Sequence, residues 1–336
     1  MQDIVIVEDL RKTYGKEIVA VDGISFRVHD GEIFGFLGPN GAGKSTTIKI
    51  LTTLLEKSAG KAIIDNLDID ADQAKVRRII GYCSQEVGVD DDLTARENLM
   101  LQCSFHHIPK DKAEKKTEEL LKKVRLTDAS DRRLKTFSGG MRKRLDLASS
   151  LVSDPKVLFL DEPTTGLDPQ SRQDVWEYIK ELNKRGMTIF LTTQYMEEAD
   201  RLADRLCIVD QGKIVAEGTP AELKAQVGAD KIRLWFRADD TEACEKAAKG
   251  LSNLPDIDEV GKCVTGIATE EGLEITAKNG AAVVTQVVRT LDKAGVSIEQ
   301  LRLTAPTLDE VFLKFTGKTL NVVEREEAVR PSRRRG

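Results

Sequence analysis

The stretch Gly38-Pro39-Asn40-Gly41-Ala42-Gly43-Lys44-Ser45-Thr46 combines the groups a polyphosphate needs. Its glycines admit backbone dihedrals that a side chain forbids, so successive N–H groups can converge on phosphate oxygens. A helix starting at its end would add its positive pole to the same field. Lys44 supplies a point charge for the β- and γ-phosphates, and Ser45 Oγ a hard oxygen for Mg2+. Such a loop is meaningful only after a strand and before a helix; elsewhere it is a glycine-rich turn that happens to hold a lysine. Here the apolar run Ile33–Leu37 precedes it, and Thr46–Leu55 follows with helical spacing.

Asp161 and Glu162 follow a second apolar run, Val157–Leu160. Alone, such a pair reads as a turn cap. Beside the phosphate loop, at the C-terminal end of a strand buried in a parallel sheet, it stands where open α/β sheets bind ligands. Asp161 is then placed to hold Mg2+, directly or through water, and Glu162 to orient or deprotonate an attacking water.

The elements that must position these groups alternate along residues 1–225. Ile4–Val7, Ile18–Val21, Ser25–Val28 and Ile33–Leu37 read as strands. Ile79–Tyr82 reads as a buried strand, Leu93–Phe105 as a helix, and Lys110–Lys123 as a solvated helix face. Val157–Leu160 and Thr188–Thr192 are nearly pure apolar, as in strands covered on both faces. A hairpin turns at Asp210-Gln211-Gly212-Lys213, between Leu206–Val209 and Ile214–Ala216, and Ala221–Val227 starts a short helix. The expected core is mixed, antiparallel strands first and a parallel α/β sheet after. A boundary fits at Gln226–Asp230, giving a domain over 1–228. Beyond it, strands Ile232–Phe236, Ile257–Val264, Leu273–Ala277 and Val296–Leu303 interleave with helices Thr241–Leu251 and Ala281–Leu291, and Leu308–Phe315 closes. That β-α-β-β-α-β order predicts a small ferredoxin-like α+β domain over 229–317. Residues 318–336 are charged and aperiodic, which predicts a disordered tail.

Length and composition agree with this organisation. At roughly 150 residues per domain, the 336 residues suggest about two domains. With 40% apolar and 32% charged residues, a core and a soluble surface are both available. Net charge is −5, from 51 basic and 56 acidic residues, so no basic face for DNA or RNA is indicated. Five cysteines without Cys-x-x-Cys suggest neither a disulfide framework nor a zinc ribbon, and a reducing cytoplasm is the natural compartment. The start lacks the pattern of a signal peptide, and no apolar run nears the roughly 20 residues that cross a bilayer. Any membrane role then comes from a separate partner. Cys103, His106 and His107 lack an evident fourth ligand and are not read as a metal site. The terminal arginines read as a solvated tail rather than a lipid contact.

Between the loop and the acidic pair lies Phe137-Ser138-Gly139-Gly140-Met141, which resembles the LSGGQ signature of ATP-binding-cassette (ABC) proteins, departing at its first and fifth positions. Ser138, Gly139 and Gly140 retain a hydroxyl and close-approaching N–H groups at a helix start, suited to a phosphate. Further motifs follow in the family's order over about residues 4–225. The resemblance implies a P-loop ABC cassette: a mixed sheet core, an antiparallel β subdomain and a helical subdomain. It implies ATP and Mg2+, with adenine stacked on Tyr14 (otherwise a surface tyrosine). Gln85 would reach Mg2+ and couple to a membrane partner, alongside Ser45 and Asp161. Glu162, Gln85 and Gln194 become the catalytic set, and Ser138–Met141 would act on nucleotide held by a second copy of the chain. Asp168, in Gly166-Leu167-Asp168-Pro169, would lie in the loop crossing that interface.

Where the family usually has histidine after Thr188–Thr192, this chain has Gln194, which offers a neutral donor and carries no proton charge. With the extension ending Pro306-Thr307-Leu308-Asp309-Glu310-Val311-Phe312, this resembles the daunorubicin-resistance-type drug and lipid exporter ATPases. The expected protein is the cytoplasmic ATPase subunit of an exporter, a homodimer by that resemblance, peripheral on the membrane's inner face through an integral permease, with no nucleic-acid partner. The alternative is a soluble ABC ATPase acting on nucleic acid or the ribosome. Relatives of that kind carry two cassettes with a basic linker or a long coiled coil, and this chain has one set of motifs and a short stretch from Gln85 to Ser138. A non-hydrolysing switch is disfavoured by Glu162.

Overall fold

The computed structural model describes residues 2–15, 17–236, 243–252, 254, 257–264, 271–277 and 279–317. In chain order the first elements are β1 (Asp3–Tyr14), β2 (Ile18–His29), β3 (Ile33–Leu37), α1 (Lys44–Leu51), β4 (Ala59–Ile64), β5 (Leu67–Asp68), α2 (Gln73–Ile79) and β6 (Ile80–Cys83). Then come α3 (Ala95–Phe105), α4 (Lys110–Lys123), α5 (Gly139–Ser150), β7 (Val157–Asp161), α6 (Pro169–Lys184), β8 (Thr188–Thr193), α7 (Met196–Leu202), β9 (Arg205–Asp210) and β10 (Lys213–Gly218).

Two sheets result. The antiparallel one has the order β2-β1-β4-β5, and the other runs β10-β9-β3-β8-β7-β6. In the latter, β9, β3, β8, β7 and β6 are parallel and only β10 is antiparallel, as the alternation of apolar strands and helices predicts. Every residue of β3, β7 and β8 is buried, the pattern of strands covered on both faces. Phe26, Phe34, Phe36, Phe159 and Phe190 meet between the sheets, with ring centroids 5.4–5.8 Å apart. On the opposite side α3, α4, α5 and α6 bury Leu99, Leu121, Leu145 and Ile179 against Leu158 and Leu160.

Local chemistry explains the departures from sequence expectation. The two strands expected at Ile18–Val21 and Ser25–Val28 are one, bent at Gly23, where φ is 72°. The helix after the phosphate loop begins at Lys44, not Thr46, and stops at Leu51, where the Thr52 hydroxyl bonds back to the Ile48 carbonyl at 2.8 Å. Helix α3 starts after Thr94 rather than at Leu93, because Thr94 and Glu97 form a reciprocal capping box.

The chain divides into a compact unit over 1–220, which also takes in residues from Phe315 on, and another over 221–314; the division falls slightly before Gly228 and cuts the first residue of α8 and the last two of α11 from the second unit. The second holds α8 (Pro220–Val227), β11 (Asp230–Phe236), α9 (Ala243–Leu251), β12 (Glu259–Val264), β13 (Glu271–Ala277), α10 (Gly280–Lys293), β14 (Ile298–Thr304) and α11 (Leu308–Thr316). From β11 to β14 the order is β-α-β-β-α-β, in an antiparallel sheet of order β12-β13-β11-β14. Its core joins Ile232, Leu234, Leu273 and Ile275 to Ala247, Leu251, Val287 and Leu291 of α9 and α10. The tail at 318–336, with its expected disorder, lies outside the described residues.

Candidate functional site

The phosphate loop leaves the end of β3 and enters α1 directly. Gly43, at φ 99°, is the helix N-cap, and a Cβ there would stand 2.3 Å from the Ala20 carbonyl oxygen. Only glycine fits this left-handed, crowded position. The N–H groups of the following turn have no intrahelical acceptor and are free for an anion. Lys44, only 4% exposed, donates to the carbonyls of Gly38 and Pro39 at 2.9 Å each. Its Nζ also lies 3.1 Å from Glu162 Oε1. The ammonium is thus held desolvated at the mouth of the loop by three oxygens that a phosphate can replace.

Facing it, the ends of β7 and β8 carry a polar cluster. Parallel register sets Asp161 opposite Thr192. Asp161 Oδ1 accepts from Thr192 Oγ1 at 2.6 Å and from Ser45 Oγ at 3.0 Å, joining the sheet to the first turn of α1. Ser45 and Asp161 thereby converge as hard oxygen donors, a set that suits Mg2+, which takes a carboxylate or two and completes its shell with water and substrate phosphate. Glu162 is a non-glycine residue at φ 47°, held by bonds from its N–H to Thr192 O and Oγ1, both 3.1 Å. Such a conformation persists only when its surroundings enforce it. Thr165 Oγ1 donates to Glu162 Oε2 at 3.2 Å, fixing the carboxylate's second oxygen.

The remaining sequence candidates lie around this cluster. Tyr14 is exposed at the end of β1, paired with Ile18, with Lys12 Nζ 5.2 Å from its ring centroid. Gln85 is exposed in the loop after β6 and belongs to none of the hydrogen bonds joining Ser45, Asp161 and Thr192. Gln194 follows β8, half-buried, and its Oε1 is a buried acceptor with no partner. Ser138 caps α5, its Oγ accepting from the Met141 N–H at 3.3 Å. A Cβ on Gly140 would lie 2.4 Å from Ser171 Oγ, so this glycine lets α5 approach α6. Asp168 caps α6 by accepting from the Ser171 N–H at 3.0 Å, and the Ser171 hydroxyl and amide hold its carboxyl below the usual range. Within one chain, Lys44, Ser45, Asp161 and Glu162 are brought together, whereas Ser138 and Asp168 are exposed at helix starts and take no part in that hydrogen-bonded set.

Three positions were not singled out from sequence. Thr192 is central, and its only signal was a hydroxyl ending an apolar strand. Glu198, fully buried on α7, accepts from Thr164 Oγ1 and Trp176 Nε1 at 2.8 Å each, tying the helix after Gln194 to the turn after Glu162. Burial pushes its carboxyl up, against the pull of those donors and the Thr193 hydroxyl. Asp146 on α5 accepts from both ends of the Gln85 segment. Among the described residues no cluster of histidine, cysteine or carboxylate suited to a metal occurs, and no helix is long and apolar enough to cross a membrane.

Comparison with known proteins adds to this geometry. Residues 21–165 match the family model described as ABC transporter, and residues 218–316 match that of the ATP-binding protein DrrA1-3-like C-terminal domain. The daunorubicin resistance ATP-binding protein DrrA2 of Streptomyces coeruleorubidus is 42% identical over 323 residues, covering 96% of this chain and 97% of that protein. The linearmycin resistance ATP-binding protein LnrL of Bacillus subtilis is 37% identical, covering 93% and 98% respectively. Among solved structures, cbiO1 from Clostridium perfringens, part of an ABC transporter complex, superposes with a TM-score of 0.63 at 29% identity over 67% of this chain and 92% of its own. A dimeric ATP-binding cassette in a post-hydrolysis state bound to ADP and Pi gives a TM-score of 0.58 at 28% identity, over 64% and 98%.

Proposed function

The chain belongs to the ABC transporter family as the ATP-hydrolysing subunit of an exporter, and from that premise we propose how its residues divide the work. The observation that carries the reading is the Lys44–Glu162 and Ser45–Asp161–Thr192 cluster at the mouth of the phosphate loop. Tyr14 stacks the adenine, and residues 38–46 cradle the phosphates. Ser45 and Asp161, joined by Gln85, would hold Mg2+, which when bound would neutralise charge developing on the phosphates. Glu162 orients and deprotonates the attacking water once the phosphate has taken Lys44 from it. Ser138, Gly139, Gly140 and Met141 of a second copy close over the nucleotide, and Asp168 crosses between the copies.

On this reading the subunit is cytoplasmic and bound to a polytopic permease. A groove lined by Leu54, Tyr82, Ser84, Gln102 and His106 lies next to the Gln85 loop, and Val87 and Phe105 beside it in sequence are exposed, a surface suited to a permease's cytoplasmic helix. The cargo is a drug, lipid or other hydrophobic compound, and the names of the resistance-associated relatives favour a drug. Residues 229–317, whose described part holds no cluster of metal-ligating side chains, serve dimer contacts or regulation. Expressed with its permease, the tagged chain should co-purify with that polytopic protein from detergent extracts, and recovery with ribosomes instead would contradict the assignment.

Gln194 is the point at which the site departs from its relatives' usual form. Its buried Oε1 has no hydrogen-bond partner within the protein, so no bond through that oxygen stops the amide from turning its Nε2 donor to a γ-phosphate. Gln194→Ala should lower kcat by roughly tenfold, the scale of one neutral contact at about 1–1.5 kcal/mol, and leave ATP binding intact. Gln194→His should introduce a titration in kcat between about pH 6 and 7 that the native enzyme lacks. Profiles of kcat against pH for both variants check this, and curves identical to the native one would place Gln194 outside the site.

A further inference from the structure

The segment that carries Gln85 is fastened at both ends to one carboxylate. The Cys83 thiol, at the end of β6, donates to Asp146 Oδ2 at 3.0 Å, and the Gly88 N–H donates to Asp146 Oδ1 at 3.1 Å. Lys143, one turn earlier on α5, donates to the Ser84 carbonyl at 2.7 Å and lies 3.4 Å from Asp146 Oδ2. Burial pushes the Cys83 thiol up, so it remains a protonated donor. Between these anchors Gln85, Glu86 and Val87 are exposed, and the Glu86 carbonyl accepts from Ser84 Oγ at 2.5 Å. Asp146 is 6% and Lys143 3% exposed, so two charges have been withdrawn from water at this spot. Apolar residues of similar volume would usually pack such a place at lower cost, which argues that the polar link has a use. The helix bearing both residues starts at Ser138, so one rigid element joins the Gln85 segment to the signature residues.

We propose that Asp146, braced by Lys143, is a positioning residue for ATP hydrolysis: it makes the Gln85 segment part of the helix headed by Ser138, so that Gln85 and the signature residues reach their working places as one body. The proposal rests on the role assigned to Gln85 above. It differs from a packing role in a measurable way, because Asp146 acts through Gln85 and its effect should vanish when Gln85 is gone.

The test uses the full chain as wild type, Asp146→Ala, Gln85→Ala and the double variant. It reads kcat, the ATP Kd, and amide exchange over residues 84–88. Asp146→Ala should lower kcat about tenfold, the usual scale for a residue that orients a metal-directed ligand, with the ATP Kd within about twofold. Exchange over 84–88 should rise. In the Gln85→Ala background the same change should cost almost nothing further, and Asp146→Asn, which keeps an oxygen for the Gly88 N–H, should recover most of the loss. Since Asp146→Ala leaves Lys143 as an unpaired buried cation and can unfold the chain, the charge-free pair Lys143→Met with Asp146→Ala carries the same comparison. Fully additive losses, or unchanged exchange over 84–88, would overturn the proposal alone. Native kcat in Gln85→Ala would overturn the reading of Gln85 and the proposal with it.

Discussion

Glu162→Gln should bind ATP with near-native affinity and lose at least about a hundredfold in kcat, the lower end of what a positioned general base contributes. The substitution is close to isosteric, so the hydroxyl of Thr165 and the backbone bonds to Thr192 that hold this residue at its strained φ can persist. What disappears is an acceptor for the water's proton. The carboxylate acts only as the bond to the γ-phosphate breaks, so the loss falls on turnover rather than on the ground state. Lys44→Ala should behave in the opposite manner. Its ammonium is the buried charge at the mouth of the loop, and removing it strips the phosphates of their main counter-charge while leaving Glu162 buried beside no cation. Tight ATP binding should be lost, as isothermal titration would show. A Glu162→Gln chain with native kcat would remove Glu162 as the base.

The second large effect concerns the number of chains. Ser138, Gly139 and Asp168 are exposed at helix starts and outside the Lys44–Asp161–Glu162 cluster. If they act on the nucleotide of another copy, specific activity should rise with protein concentration through the dimerisation range. Ser138→Arg replaces a helix cap with a bulky cation at the proposed contact. The lost cap costs about 1 kcal/mol, which a two-core unit of this size tolerates, yet activity should fall to background. Thermal unfolding monitored beside ATPase separates the two. A constant specific activity down to concentrations where sedimentation shows monomers would contradict the composite site.

Much of the local architecture was legible because it follows from contiguous patterns. A fully apolar run before the loop, helical spacing after it and a second apolar run ending in Asp161-Glu162 place those residues on β3, α1 and β7 without further information. The β-α-β-β-α-β order of the second unit was readable for the same reason. Contacts made across the sheet were not. Thr192 meets Asp161 only because β7 and β8 are parallel neighbours in a given register, and no periodicity along the chain encodes that. Asp146 lies on a helix whose apolar spacing conceals a buried carboxylate, and its partners Cys83 and Gly88 are far away in sequence. Glu198 likewise reads as one acid in a charged run, yet it is buried against Trp176 and Thr164. Strand ends and the bend at Gly23 depended on pairing between β1 and β2, where the register shifts repeatedly.

The central claim is that two copies of this chain share each catalytic site, the phosphate loop coming from one and the signature residues from the other. Mixing two separately inactive chains tests it most directly, one carrying Lys44→Ala and the other Ser138→Arg. A mixed dimer contains one site in which an intact phosphate loop faces an intact signature segment, and one in which both are damaged. With random pairing of equal amounts, half the dimers are mixed and each has one working site of two, so ATPase activity should return to about one quarter of native. A mixture as inactive as its components, under conditions where pairing of the two chains is demonstrated, would contradict the account.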